Sequence, residues 1–250
     1  MAGVLTAQQL ITLACNTAKC PGYASPVGSS LAGALLNTIL EEMYSTYDFE
    51  ICGGVYNFSF NSGAGNGAGP YSMPTAYLRA ANDEIFYTIS NEPYKMLPVD
   101  KATYDSFNKD PGLTSYPSFF MTDPGVVPTA MYVWPAPAGS YPVTVRYYGS
   151  MPALVNPESS TSIPWFPSSM YLLTRLTGEL MLLTDDKRAT IYLGDGTEQN
   201  RGRAGNLLEK VLLMKDDPEN LVQTVKLDNK LFRKAKGNAN ALPNTKTIGF

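Results

Sequence analysis

MYVWPAPAGSYPVTVRYY, residues 131–148, is the stretch on which the reading of this chain turns. Two runs of aromatic and β-branched residues flank a Pro/Gly segment. In the second run Val143, Val145 and Tyr147 alternate with Thr144, Arg146 and Tyr148. A period of two describes a strand with one face buried, and two such runs around a Pro/Gly turn predict an antiparallel hairpin. The middle of the chain is therefore β-rich.

Working outward, the same residue types recur at 76–79, 84–90, 94–97 and 118–122, and upstream Val55, Phe58 and Phe60 follow Ile51 among small polar residues. Each segment predicts a short strand. A Gly-rich loop, Asn61 to Pro70, and a short helix over 100–108 capped by Asp100 lie between them.

Towards both ends the period changes to three and four. Thr6 caps an apolar face of Ala7, Leu10, Ile11, Leu13 and Ala14, which stops near Lys19 before Pro21. Leu31, Leu35, Leu36, Ile39, Leu40, Met43 and Tyr47 predict a second, longer helix. Beyond the β region, Ser168 or Ser169 caps a segment carrying Leu173, Leu176, Leu180 and Leu183. A last helix contains Ile191, Leu207, Leu208, Val211, Leu212 and Met214, but Gly194, Gly196, Gly202 and Gly205 each cost about 1 kcal/mol there relative to Ala, so a kink or break is expected.

The fold class expected from this order is α+β: a helical bundle from the N- and C-terminal helices, carrying an inserted antiparallel β domain and an extended C-terminal arm. The boundaries are 1–48 for the N-terminal helical hairpin, 49–164 for the β-rich domain, 165–218 for the returning helices, and 219–250 for the basic arm.

Among 250 residues there is no histidine. That removes the usual general base near neutral pH and the commonest metal ligand, so Ser-His-Asp, Cys-His and HExxH chemistries are excluded. The three cysteines, Cys15, Cys20 and Cys52, have no metal spacing, and an odd number does not suit a secreted disulfide framework; they read as reduced and buried. The first eighteen residues carry no charged side chain and so lack the basic start of a signal peptide, and every long uncharged run is broken by Gly, Pro, Ser or Asn. A soluble protein made inside the cell, with no membrane contact, is expected.

The net charge of -3 conceals a gradient. Residues 1–100 hold three Lys/Arg against eight Asp/Glu, residues 101–218 ten against twelve, and residues 219–250 six against two. Within the arm, Lys226, Lys230, Arg233, Lys234 and Lys236 surround Leu231 and Phe232. This pattern suits either phosphate neutralisation, docking with apolar anchors, or a merely solvated tail. The candidate partner-binding residues are Leu227, Lys230, Leu231, Phe232, Arg233, Lys234, Lys236, Ile248 and Phe250.

Other motifs carry less. Residues 63–68, GAGNGA, match the dinucleotide pattern, but Gly69-Pro70-Tyr71 follows where a helix must open, so a loop is the reading. Glu41-Glu42, Asp83-Glu84, Asp185-Asp186 and Asp216-Asp217 are sequence neighbours, whereas a glycosidase needs two carboxyls facing one cleft roughly 5 to 9.5 Å apart. No catalytic, cofactor-binding or metal-binding residue is assigned. The sixteen tyrosines and ten phenylalanines, gathered mainly in the middle, suit sheet core and protein contacts better than a sugar- or base-stacking platform.

LITLAC (10–15), the Pro/Gly/Ser turn and LAGALLNTILEEMY (31–44) resemble the opening helical hairpin of tailed-bacteriophage head-to-tail adaptor proteins, the head-completion or connector family. PTAYLR (74–79), PYKMLPVD (93–100), YVWPAP (132–137), RYYGSMP (146–152) and IPWFP (163–167) are similar to that family's β insertion and return helix. The resemblance covers about residues 8 to 215. It implies a structural virion protein, without enzymatic activity or cofactor, that forms a ring, a dodecamer, between portal and tail and extends the DNA channel. The implied partners are further copies of the chain, the portal protein and a tail or nozzle protein, with transient contact to packaged DNA. The implied location is the head-tail interface of the virion, and the host cytoplasm during assembly. The Gly-rich centre of the last helix and the basic arm depart from the family's pattern. Some relatives are associated with cell-wall hydrolysis, yet no catalytic residue here matches. Two readings from other classes stand beside this one: a phage-associated peptidoglycan hydrolase and a carbohydrate-binding tail component.

Overall fold

The two β runs of the 131–148 stretch do not pair with each other. The computed structural model describes residues 5–25, 30–62, 69–107, 114–195, 197 and 200–213. In chain order the elements are α1 (Ala7–Thr17), a 3-10 turn (Pro21–Ala24), α2 (Leu31–Thr46), a second 3-10 turn (Glu50–Cys52), β1 (Gly53–Ser59), β2 (Tyr71–Ser72), β3 (Tyr77–Ile89), β4 (Glu92–Pro98), α3 (Lys101–Ser106), β5 (Thr114–Ser115), β6 (Phe119–Asp123), β7 (Ala130–Trp134), β8 (Ala136–Pro137), β9 (Pro142–Gly149), α4 (Ser169–Leu183), α5 (Ala189–Leu193) and α6 (Gly202–Leu213). Among the described residues seven strands form one sheet in the order β1-β9-β3-β4-β6-β7-β2, and β5 with β8 forms a two-stranded ladder.

The alternation read in 143–148 holds, because Val143 and Val145 are buried between exposed Pro142, Thr144 and Arg146. The hairpin does not. β9 inserts between β1 and β3, antiparallel to both, while β7 is flanked by β6 and β2. Both hydrogen-bonding edges of each strand are thus taken by other partners. The link 135–141 is longer than a tight turn, and Pro135 and Pro137 bring no N–H to a ladder. It runs instead as extended chain, with Ala136 and Pro137 opposite Thr114 and Ser115.

β3 and β4 do form a hairpin, with Ile89 opposite Glu92 and the two loop residues, Ser90 and Asn91, at φ 51° and 69°. Two positive φ values are what a primed turn demands, and its twist matches that of the strands. What sequence reads as two strands, 76–79 and 84–90, is one strand with a bulge: Ala80 faces Tyr147 and Ile85 faces Val145, and Asn82 at φ 56° absorbs the surplus. β4 and β6 are parallel, with Leu97 opposite Phe119. Parallel neighbours need a crossover, and α3 sits in it, capped as the sequence predicts by Asp100, which accepts from Thr103 N at 2.6 Å. Phe60, Ile85, Met96, Met131, Val133 and Val145 are fully buried on the sheet's inner side.

The fold class therefore corrects the expectation. It is α+β organised on a large mixed sheet, not a helical bundle with an inserted antiparallel β domain. Spacings of three and four report that one helix face is buried, not what buries it. Loops of the same unit lie along α2. A Cβ on Gly33 would lie 2.7 Å from Pro157, Asn37 exchanges two hydrogen bonds with the Leu154 backbone (3.1 and 2.9 Å), and the Tyr44 ring lies 6.4 Å from Trp165. Arg79 of β3 reaches the end of α2, donating to Asp48 Oδ1 and to the Ser45 carbonyl.

The chain divides into two compact units, Met1–Thr12 with Pro21–Phe166, and Leu13–Cys20 with Pro167–Phe250. In the second unit Ser168 caps α4, accepting from Tyr171 N at 3.2 Å. The buried side of α4 includes Leu176 and Leu180 as predicted, and also Tyr171, Leu172 and Met181, while Leu183 is exposed. Gly178 lets α5 approach closely, since a Cβ there would sit 2.6 Å from Leu193. The glycine-rich segment is a break rather than a kink: α5 ends at Leu193 and α6 begins at Gly202. No helix among the described residues is long and apolar enough to cross a membrane.

Candidate functional site

Two features of the molecule stand out as surfaces on which function could be built, one in each unit. On the sheet, Tyr87 is buried, and burial with neighbouring Tyr141, Tyr94 and Tyr116 pushes its hydroxyl up to about 12. From it a row leads outward: Tyr94 stacks on Tyr87 at 5.7 Å and 25°, and Tyr116 lies parallel to Tyr94 at 6.4 Å and 8°. Tyr94 and Tyr116 are 45% and 55% exposed, so the row ends in solvent-accessible rings. Phe107 and Trp134 form a second stacked pair at 4.5 Å.

The other surface is the break between α5 and α6. Gly194 has φ 87° and Gly202 φ 63°, and the backbones meet there: a Cβ on Gly194 would lie 2.2 Å from the Asn200 carbonyl oxygen, and one on Gly202 2.3 Å from Gly194 N. Only glycine permits this approach. Inside the neck, Asp195 accepts from Thr197 Oγ1 at 2.6 Å, Thr197 N at 3.0 Å and Asn200 Nδ2 at 3.2 Å. Those donors, the Thr197 hydroxyl first, hold its carboxyl below the usual carboxylate range. Beside the neck is a groove of about 570 Å³ lined by Thr190, Ile191, Asn200, Arg201, Asn206 and Glu209, with Arg203 at its rim over the Tyr192 ring at 5.8 Å. Its charge is divided, Arg201 Nη1 lying 3.8 Å from Glu209.

The residues singled out from sequence fare differently. Glu41 and Glu42 are exposed on α2. Asp186 is engaged at the start of α5, accepting from Arg188 N at 3.0 Å and Arg188 Nε at 3.0 Å; these bonds hold its carboxyl at about 2. Asp185, at φ 55°, turns the chain between α4 and α5. The candidate docking residues Leu227, Lys230, Leu231, Phe232, Arg233, Lys234, Lys236, Ile248 and Phe250 lie outside the described residues, as do 63–68 and Asp216-Asp217. Among the described residues no group of three or more Cys, Asp or Glu is placed to hold a metal ion.

The sheet unit, α4 and α5 are what a comparison with known families recognises: the model of the SU10 adaptor protein family matches residues 5–201. The chain belongs to the SU10 adaptor protein family. This agrees with the resemblance carried by the 10–15, 31–44, 132–137 and 146–152 motifs, and it makes the chain a structural phage adaptor. No curated protein matches the chain. The family match ends at Arg201, one residue before α6. One wall of the groove, from Gly202 onward, lies beyond the matched residues. Sequence reading passed over it because its signal is the four glycines of 194–205, which argue against a helix but do not announce a closed neck.

Proposed function

We propose that this chain is a head-to-tail adaptor of a tailed-phage virion, which assembles with further copies of itself into a twelve-fold ring between portal and tail and so extends the DNA channel. The match to the SU10 adaptor family across residues 5–201 carries the reading. No catalysis is assigned to it: without histidine the chain's acid-base repertoire rests on carboxylates, Lys, Tyr and Cys, and the described carboxylate neighbours are exposed or engaged locally. In the proposal residues 219–250 act as a separate docking segment, whose positive charge and Phe232 favour an acidic partner surface with an apolar pocket; attraction to packaged DNA is secondary and sensitive to salt.

The test is electron microscopy of particles assembled with and without the protein. A ring of this chain beneath the portal, absent from the deletion particle, is the expected result; one copy per particle, or no density at the head-tail interface, would sink the reading. Normal attachment to portal-bearing heads by a chain lacking 224–250 would remove the docking role alone. A second reading, glycan binding by a tail component, draws on the solvent-accessible rings of Tyr94 and Tyr116. Glycan binding that is lost in Tyr116→Ala would favour it over the adaptor role.

A further inference from the structure

Helix α1 ends in a Schellman motif whose two contact positions are both cysteines. Lys19 adopts φ 59°, Lys19 N donates to the Asn16 carbonyl at 3.3 Å, and Cys20 N donates to the Cys15 carbonyl at 2.9 Å. In this motif the residue three positions before the helix end and the one just past the reversal touch each other, normally as an apolar pair. Here both contact positions are thiols, Cys15 and Cys20, and both are free and buried. The backbone bond limits their Cα atoms to a separation of about 6.8 Å at most, inside the range that a disulfide spans.

We infer that Cys15 and Cys20 are a dithiol that closes to an intramolecular disulfide under oxidising conditions, making the end of α1 a redox-sensitive modification site. The two thiols differ in role. Cys15 is 1% exposed and Cys20 8%. Burial first, then the electrostatic effect of Cys20, pushes the Cys15 thiol up to about 12, and burial also raises Cys20, with its interaction with Cys15 working the other way. Cys20, the more accessible of the two, is the attacking sulfur and Cys15 the resolving one. With glutathione disulfide as oxidant, the Cys20 thiolate attacks one sulfur and releases a glutathione thiolate, which takes up a proton. Cys15 then gives up its proton, attacks the Cys20 sulfur of the mixed disulfide and expels the second glutathione. Two protein thiols are oxidised to one disulfide, and one glutathione disulfide is reduced to two glutathiones. The setting suits such a site, since a virion component is made in a reducing interior and persists in an oxidising exterior.

The experiment treats the folded full-length chain with glutathione disulfide and reads intact mass, thiol count and the peptides from combined tryptic and Glu-specific digestion, which separates Cys20 from Cys52 at Glu41, Glu42 and Glu50. The expected result is a loss of about 2 Da and of two of the three thiols, with the peptides on either side of Lys19 joined after cleavage there. Cys52→Ser should close equally well, and Cys15→Ser should stop at a stable glutathione adduct on Cys20. Retention of all three free thiols by the folded wild type, a lasting adduct in the wild type, or linkage through Cys52 or between chains would overturn the proposal. If Cys15→Ser does not fold, the wild-type peptide map decides alone.

Discussion

The sheet core and the α5–α6 neck are held together by opposite means. In the sheet, large side chains fill space: Phe60, Ile85, Met131 and Val145 are fully buried, with Ile85 opposite Val145 across β3 and β9. In the neck, side chains are missing by necessity, because Gly194 and Gly202 bring two backbones closer than any Cβ allows. The first kind of order tolerates exchange of one apolar residue for another of similar volume, while the second tolerates no addition at all.

That difference can be broken at several points, and the sheet should break hardest. Phe60→Ala removes a ring packed edge-on to Phe58 (5.8 Å) and tilted against Tyr71 (5.2 Å) and Tyr87 (5.8 Å), and should cost about 3–5 kcal/mol by denaturant unfolding. Phe60→Leu should recover a large part of that. Gly202→Ala forces a side chain into a left-handed conformation against the Gly194 amide and should cost about 1–3 kcal/mol. Its signature is local, faster tryptic cleavage at Arg201 and Arg203. Equal cleavage of variant and wild type would show that the neck does not hold the loop. Ser168→Ala, which deprives Tyr171 N of its acceptor at the start of α4, should cost about 1 kcal/mol, readable in the same titration.

The smallest effect is one of pH. Arg188 depresses the folded pKa of Asp186 to about 2 from an ordinary 3.8, so the stability this contact contributes is complete above 3.8 and is lost as pH falls towards 2. Asp186→Asn should therefore lower Tm at neutral pH, and the gap from wild type should close on acidification. A gap that stays constant from pH 5 to pH 2 would mean that the Arg188 contact does not contribute.

The same contrast explains what could be read in advance. Local order was legible wherever one residue decides it: Thr6 caps α1 and receives the reciprocal Gln9 side chain on its own N–H, Asp100 and Ser168 cap their helices, and Val143 and Val145 alternate as written. Partner choice was not legible. Nothing in 131–148 states that β9 belongs between β1 and β3, because alternation fixes a face and not a neighbour. Likewise the spacing on α2 gave its buried side but not the bonds of Asn37 to the Leu154 backbone or the approach of Pro157 to Gly33. As for the site, the glycines were visible, but the Asp195, Thr197 and Asn200 bonds that give them meaning follow only from the closed backbone.

The hydrogen bonds that tie the 154–162 loop to α1 and α2 bear on how the protein could be labelled for imaging. This stretch is rich in Ser and Thr, small polar residues of the kind usually chosen for inserting a tag. Yet the Ser162 and Ser160 carbonyls accept from the first free amides of α1, Ala7 N at 2.9 Å and Gln8 N at 3.2 Å, and Leu154 is clamped by Asn37. A tag placed there would uncap one helix and strip another. The turn after β6 offers a better position: Val127 is 90% exposed, and the Gly125 amide bonds locally to the neighbouring Asp123 carboxylate. An epitope between Gly125 and Val126 would leave both helices and the inner face of the sheet as they are.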